Sequence, residues 1–435
     1  MIKVLELFGG IGACSKALEK LNIPYQIVDY VEIDKYAVNS FNAIHNTNFE
    51  PQDIKEWDKD IDVDLIMHGS PCQDFSLAGK QAGGDKDSGT RSSLMYETIR
   101  IVEKLKPRYV IWENVKNLVS KKHIHNFKAY IQTMENLGYK NYYKILNAKD
   151  YGIPQNRERI FTVSILDNQT ENNNILSAVV KDFKFPKKKE LKLKLKDLLE
   201  DSVDESFYLS DEKIQKIAHW KSFQKPFEKV QGKESVVPTL TARGAGEEHS
   251  GMITYSDKLE NTTNLQNQIL KKQLCNYLIQ NDLVKENDVI RHSYSKSRME
   301  NWDKRNISAN NYSPTLDTRC DCFGVCIKNN TKKGYLEAHP GDGVYTNTST
   351  KRGTVQKESI ATLTTFQDKG VVMSNLRIRK LTPKECWRLM GFEDSDYEKA
   401  SQVTSKAQLY KQAGNSIVVN ILEEILAKLL LEKDN

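Results

Sequence analysis

The first 165 residues of this 435-residue chain alternate short β-like runs with amphipathic segments, and no other feature narrows the fold as far. The runs cover 2–8, 25–31, 63–68, 109–112 and 160–165. Between them, 15–21 and 94–105 carry apolar residues at three- and four-residue spacing, the helical period. Strand and helix in turn predict an α/β fold with a doubly wound, mostly parallel, Rossmann-like sheet. Such a sheet places its chemistry beyond the carboxyl ends of the strands.

From about residue 166 the character changes. A polar stretch, 168–174, leads into 184–196, where seven lysines interleave with Leu and Phe. The periodicity then weakens and Thr, Asn, Ser and Gly become frequent, which predicts an irregular, β-rich second domain with one helix near 265–278. A loose repeat runs through it: Pro238-Thr239-Leu240-Thr241-Ala242-Arg243, Pro314-Thr315-Leu316-Asp317-Thr318-Arg319 and Ala361-Thr362-Leu363-Thr364-Thr365-Phe366. The copies are too unevenly spaced for a solenoid. Order returns near 376: Thr382-Pro383-Lys384-Glu385 reads as a helix start with a Thr cap, Pro in the first turn and Glu at the third position, and 415–431 predicts a second amphipathic helix. The expected divisions are therefore 1–180, 185–375 and 376–435.

Composition adds exclusions. No run of about 18 apolar residues is present, and the start of the chain has no basic region followed by a small-residue cleavage site, so a cytoplasmic protein without a membrane partner is expected. Seven cysteines, an odd number over a long chain, argue against a disulfide framework and leave room for a reactive thiol. Lys and Arg number 64 against 58 Asp and Glu, a net +6, which permits a polyanionic partner without requiring one. Cys320, Cys322 and Cys326 have no second ligand pair at zinc-finger spacing, so no metal is expected.

Three places carry chemistry. Phe8-Gly9-Gly10-Ile11-Gly12 lies between a strand and a helix, where glycines let a ligand approach the backbone; Glu32, 20 residues after Gly12, ends the next strand, where an acid can accept hydrogen bonds from a ribose. Gly69-Ser70-Pro71-Cys72-Gln73 follows the third strand and holds a cysteine in a Pro-restricted turn, suited to a nucleophile. Trp112-Glu113-Asn114-Val115 brings a carboxyl group to the same sheet edge, and Gln155-Asn156-Arg157-Glu158-Arg159 sets two arginines two positions apart, able to point the same way towards a carbonyl oxygen or phosphate.

In this order, with Asp53 and Gln412-Ala413-Gly414-Asn415-Ser416, these blocks resemble the cytosine-5 DNA methyltransferases over about the first 165 and last 60 residues. The resemblance implies S-adenosylmethionine as cofactor, held by Phe8, Gly10, Gly12, Glu32, Ile33, Asp53, Ile54, Pro71, Asn415 and Ser416. It implies that Cys72 adds to carbon 6 of a flipped-out cytosine, that Glu113 holds ring nitrogen 3 and the exocyclic amine, and that Arg159 with Arg157 holds the ring oxygen. Residues 1–180 and 376–435 would then form the catalytic domain and 185–375 the target-recognition domain, with Gln73, Thr239, Arg243, Thr315 and Arg319 as DNA contacts and Arg291, Arg298 and Arg305 as further candidates. The implied partner is double-stranded DNA, methylated by a monomer, with any cognate restriction endonuclease acting separately in a restriction-modification or phage anti-restriction setting. Two rivals share the blocks: a tRNA methyltransferase of the same architecture, whose Cys-Phe-Thr segment is not found here, and an inactive DNA-binding homologue, against which every chemical residue is present.

Overall fold

The computed structural model describes residues 1–71, 94–167, 182–210, 213, 252–254, 289–291, 325–332, 334–346, 354–373 and 378–431. The chain divides into two compact units. Met1–Glu200, Thr362–Gln367 and Thr382–Asn435 form the first, and Asp201–Ala361 with Asp368–Leu381 the second.

The first unit is built on strands β1 (Ile2–Leu7), β2 (Tyr25–Val31), β3 (Leu65–His68), β4 (Tyr109–Val115), β5 (Tyr139–Asn147), the two-residue β6 (Gln155–Asn156) and β7 (Glu158–Leu166). Six of them make one sheet in the order β2-β1-β3-β4-β7-β5. The first four are parallel, and β7 is antiparallel to both its neighbours. The connection 148–157 between β5 and β7 is too short for a crossover helix, which leaves the antiparallel pairing. Val4, Leu5, Leu7, Leu65, Ile66, Met67, Val110, Ile111 and Trp112 are all buried, the near-continuous apolar runs expected of strands covered on both faces.

Helices α3 (Met95–Leu105) and α4 (Ile124–Asn136) pack their apolar stripes into the same core through Met95, Ile99, Val102, Phe127, Tyr130 and Met134. Helices α1 (Ala13–Lys20) and α2 (Lys35–His45) meet the C-terminal segment, which folds as α5 (Pro383–Arg388), α6 (Asp394–Val403), α7 (Lys406–Asn415) and α8 (Val419–Leu426). The buried Lys16 ammonium lies 3.1 Å from Asp396 and 3.3 Å from Glu393, and Gln412 donates to the Tyr36 carbonyl at 2.9 Å. These contacts bring the last 50 or so residues back onto the first 45.

The mostly parallel α/β sheet agrees with the sequence expectation, as does the capping box at Thr382 and Glu385. Three details differ. Strand β5 and helices α2 and α4 are absent from the sequence reading; β5 is an edge strand interrupted by Lys140, Asn141 and Lys144, so it lacks the apolar run by which the inner strands are recognised. Strand β4 continues to Val115, placing Glu113 and Asn114 within the strand. The helix expected over 415–431, introduced by Gly414-Asn415-Ser416, starts later: Asn415 is the last residue of α7, Ser416 is extended at φ −64°, ψ 157°, and α8 begins at Val419. The helix expected near 265–278 lies outside the described residues.

The second unit is β-rich. Strands β8 (Met252–Thr254) and β9 (Val289–Arg291) pair antiparallel, as do β10 (Val325–Lys328) and β11 (Tyr335–Ala338). Strands β12 (Gly343–Tyr345), β13 (Val355–Gln356), β15 (Lys369–Val372) and β16 (Ile378–Lys380) form a four-stranded sheet in the order β13-β12-β15-β16, with β14 (Ile360–Ala361) between them in sequence. Leu209, Ile327, Ala338, Val344, Val372 and Ile378 make its core. Among the described residues, no helix is long and apolar enough to cross a membrane.

Candidate active site

From β1 the chain passes to β2 on one side and later to β3 on the other, so the strand order reverses between β1 and β3. A crevice opens beyond the carboxyl ends at such a reversal, and the turns Phe8–Gly12 and Gly69–Pro71 both lead out of those ends. The first turn uses left-handed backbone at Phe8 (φ 52°), Gly10 (φ 56°) and Gly12 (φ 78°). At Gly12 a side chain is excluded, because a Cβ would lie 2.2 Å from His45 Nε2. At Gly10 a Cβ would meet nothing within 4 Å: the backbone there faces open space.

Glu32 closes the opposite wall. Its carboxylate accepts from the Gly10 N–H at 3.3 Å and the Asp34 N–H at 2.9 Å, and burial raises its pKa above the usual carboxylate value. The Gln52 N–H donates to the Glu32 carbonyl at 2.9 Å, which brings Asp53 alongside. Ile33 is 67% exposed, an apolar side chain presented at the strand end. Ile54 is buried in the core, 4% exposed, and its carbonyl accepts from Arg100. Beneath the turn, Glu6 accepts from the Ser15 N–H at 3.0 Å and from the Ser15 hydroxyl, and burial pushes its carboxyl up to about 7.

The second cluster lies at β3, β4 and β7. Glu113 and Arg159 face each other with Oε1 and Nε 3.0 Å apart. Burial pushes the Glu113 carboxyl up, and the positive charges of Arg159 and Arg157 act against that shift. A Cβ built on Gly69 would sit 3.8 Å from Glu113 Oε2 and 3.5 Å from Ile417 Cδ1, so the turn leading to Pro71, the carboxyl group and the segment after Ser416 adjoin one another. Ser70 is fixed from β4: the Trp112 indole N–H donates to its Oγ at 3.0 Å and the Asn114 amide to its carbonyl at 3.2 Å. The sequence reading passed over Ser70 and treated Trp112 and Asn114 only as neighbours of Glu113. Their legible signal was a hydroxyl one residue before the Pro-Cys pair.

The two arginines divide. Arg159 meets Glu113, whereas Arg157, 2% exposed, turns to backbone carbonyls at Leu363, Gly414 and Ser416, at 3.2, 3.1 and 2.7 Å. Of the two arginines expected at the ring oxygen, Arg159 therefore lies beside Glu113, and Arg157 is turned away to those backbone carbonyls. Asn415 is exposed at the end of α7, Ser416 is buried and Pro71 half-buried. Cys72, Gln73, Thr239, Arg243, Thr315 and Arg319, with Arg298, Arg305, Cys320 and Cys322, lie outside the described residues. Of the three Thr-Leu elements, Thr362-Leu363 lies within them: the Thr362 hydroxyl donates to the Asn156 carbonyl at 2.8 Å, and the Leu363 N–H to Gln155 Oε1 at 3.2 Å.

The sequence profile of the family described as C-5 cytosine-specific DNA methylase matches residues 2–431. The chain belongs to this family. It is 30% identical over 496 residues to the orphan methyltransferase M.Rho11sI of Bacillus phage rho11s, covering 99% of this chain and 98% of that one. It is likewise 30% identical to the type II methyltransferase M2.ScrFI of Lactococcus lactis subsp. cremoris, covering 99% of each. Among solved structures it resembles a prophage-encoded E. coli protein described as a DNA modification methyltransferase, with a TM-score of 0.52 at 18% identity, covering 99% of this chain and 98% of that one; this likeness concerns the fold.

Cytosine-5 methylases take their methyl group from S-adenosylmethionine, and the residues at the β1–β3 crevice fit it. Gly10 leaves room against the backbone, the partly solvated Glu32 carboxylate has lone pairs left for hydroxyl donors, and exposed Ile33 offers an apolar surface to an aromatic base.

Proposed function

We propose that this cytosine-5 methyltransferase modifies one or more short sequences in double-stranded DNA through a covalent adduct on Cys72. In this reading the Cys72 thiolate attacks carbon 6 of a cytosine turned out of the helix, since that atom is inaccessible in a stacked duplex. The electron pair of the 5,6 double bond moves into the ring, and Glu113, protonated, donates to nitrogen 3 where negative charge gathers. Arg159 holds the ring oxygen and keeps Glu113 in place. Carbon 5 takes the methyl group, which bound S-adenosylmethionine supplies. Loss of the carbon 5 proton to water then re-forms the double bond and expels Cys72 as thiolate.

The observation that carries the reading is the buried Glu113–Arg159 pair at 3.0 Å, set beside the turn that leads into Pro71 and Cys72. Burial raises the Glu113 pKa, favouring the protonated form required of a donor. Glu32, Ile33, Gly10, Asp53, Asn415 and Ser416 would hold the cofactor, Glu32 by its ribose. Residues 185–375 would read the target, in keeping with the naming of two relatives as a phage orphan and a type II methyltransferase; a role in protecting DNA follows from that likeness.

Base-resolution cytosine-methylation sequencing of DNA and total RNA from a methylation-deficient bacterium expressing the chain tests this. Methyl marks at short DNA motifs, lost in Cys72→Ser, are expected. Unmarked DNA with a marked tRNA would overturn the choice of substrate.

A further inference from the structure

Two side chains from the end of β2 meet on one residue of the glycine turn. In extended chain, residues two apart point to the same face; Tyr30, within β2, and Glu32, just past its end, both reach Gly10. The Gly10 N–H donates to Glu32 Oε2 at 3.3 Å, and the Gly10 carbonyl accepts the Tyr30 hydroxyl at 2.6 Å. Gly10 is thus held at both of its backbone polar groups, although the space where its Cβ would stand is open.

Tyr30 is itself fixed on every side. It is fully buried, and its ring stacks on Phe41 with centroids 3.8 Å apart and lies 5.7 Å from that of Phe49. Its N–H donates to Asp29 Oδ1 at 2.9 Å, and its carbonyl accepts from the Gln52 amide at 2.7 Å. The ring also walls the turn, since a Cβ on Gly9 would lie 2.6 Å from Tyr30 Cε2. Three of the five residues from Phe8 to Gly12 are glycine, the residue that gives up most conformational freedom on being ordered. A hydrogen bond from a rigid donor removes those states before a ligand binds, and so raises affinity without touching the ligand. Because the Gly10 N–H engages Glu32, fixing Gly10 also fixes that carboxylate.

We propose that Tyr30 is a positioning residue for S-adenosylmethionine: its buried hydroxyl sets Gly10, and through the Gly10 N–H the Glu32 carboxylate, in the binding geometry before the cofactor arrives. This rests on the functional reading above, in which Gly10 and Glu32 hold the cofactor. In this role Tyr30 acts through Gly10 and contacts no part of the cofactor itself.

Tyr30→Phe tests this, because it keeps the ring between Phe41 and Gly9 and deletes the hydroxyl alone. Calorimetry of the full-length protein with S-adenosylhomocysteine should show binding weakened about 3- to 10-fold relative to the wild type. In steady-state methylation the KM for S-adenosylmethionine should rise by a similar factor while kcat stays within about twofold. Hydrogen exchange in the ligand-free protein gives a readout independent of the cofactor. The Gly10 amide should exchange about threefold faster or more in Tyr30→Phe, with the Leu5 and Ile66 amides of the central strands unchanged. Unchanged affinity, or unchanged exchange at Gly10, overturns the proposal. So does exchange that quickens equally at Leu5 and Ile66, since the hydroxyl would then serve the fold alone. Unaltered affinity in Glu32→Ala would instead remove the cofactor from this turn, whereas binding weakened in Glu32→Ala and unaltered in Tyr30→Phe would sink the positioning role alone.

Discussion

The Trp112 indole N–H points at Ser70 Oγ, 3.0 Å away, and thereby ties the floor of β4 to the residue two before Cys72. Asn114, on the same strand, reaches the Ser70 carbonyl. The turn that leads to Cys72 is thus anchored to the strand that carries Glu113, so the two groups used by the proposed mechanism share one support.

Removing that anchor should slow the chemistry more than it weakens binding. Ser70→Ala leaves the buried Trp112 N–H without its acceptor, at a cost of about 1–3 kcal/mol in stability. Its kcat should fall at least about tenfold with the KM for S-adenosylmethionine little changed. Steady-state kinetics with urea unfolding checks this, and an unaltered kcat would show that the anchor is irrelevant to Cys72.

Glu113 should give the rate an alkaline limb. Its carboxyl pKa is raised by burial and held back by Arg159 and Arg157, so raising the pH deprotonates the donor and activity falls. Arg159→Met removes a charge that favours the carboxylate, so the limb should move to higher pH while the overall rate drops by about 100-fold or more. A limb that stays in place, or moves down, would contradict the assignment.

Glu6 should make stability depend on pH. Its folded-state pKa is about 7 against an ordinary value of 4.5. Between those values the folded chain holds a proton that the unfolded chain has lost. The contribution is complete below about pH 4.5 and disappears as pH rises through 7, amounting to about 3 kcal/mol. Glu6→Gln cannot titrate, so unfolding curves at pH 5 and pH 8 should differ by less in this variant than in the wild type.

The two glycines of the first turn should fail differently. Gly12→Ala meets His45 Nε2 and combines a steric clash with left-handed strain, destabilising the fold by about 2 kcal/mol or more. Gly10→Ala has open space and costs the fold only about 1 kcal/mol, yet its methyl group occupies the room left for the cofactor. Calorimetry should show S-adenosylmethionine binding weakened about tenfold or more in Gly10→Ala and in Glu32→Ala. Unchanged affinity in both would remove the crevice from the cofactor site.

What was legible in the amino-acid order was local. Alternating apolar runs announced the sheet, and a glycine turn followed 20 residues later by an acid marked the crevice, because each depends on spacing along one or two elements. The Thr382–Glu385 cap was readable for the same reason. The different fates of Arg157 and Arg159 were not: two positions apart in sequence, they look equivalent, and only the fold brings to Arg157 carbonyls that stand 206 and 259 residues away. The late start of α8 has the same origin: Gly414-Asn415-Ser416 reads as a helix start, and nothing near it in the chain shows that a distant guanidinium takes the Ser416 carbonyl. Periodicity and caps are interactions between near neighbours and are written in sequence; hydrogen bonds between distant backbone groups depend on where the whole chain has gone, and only the tertiary structure decided them.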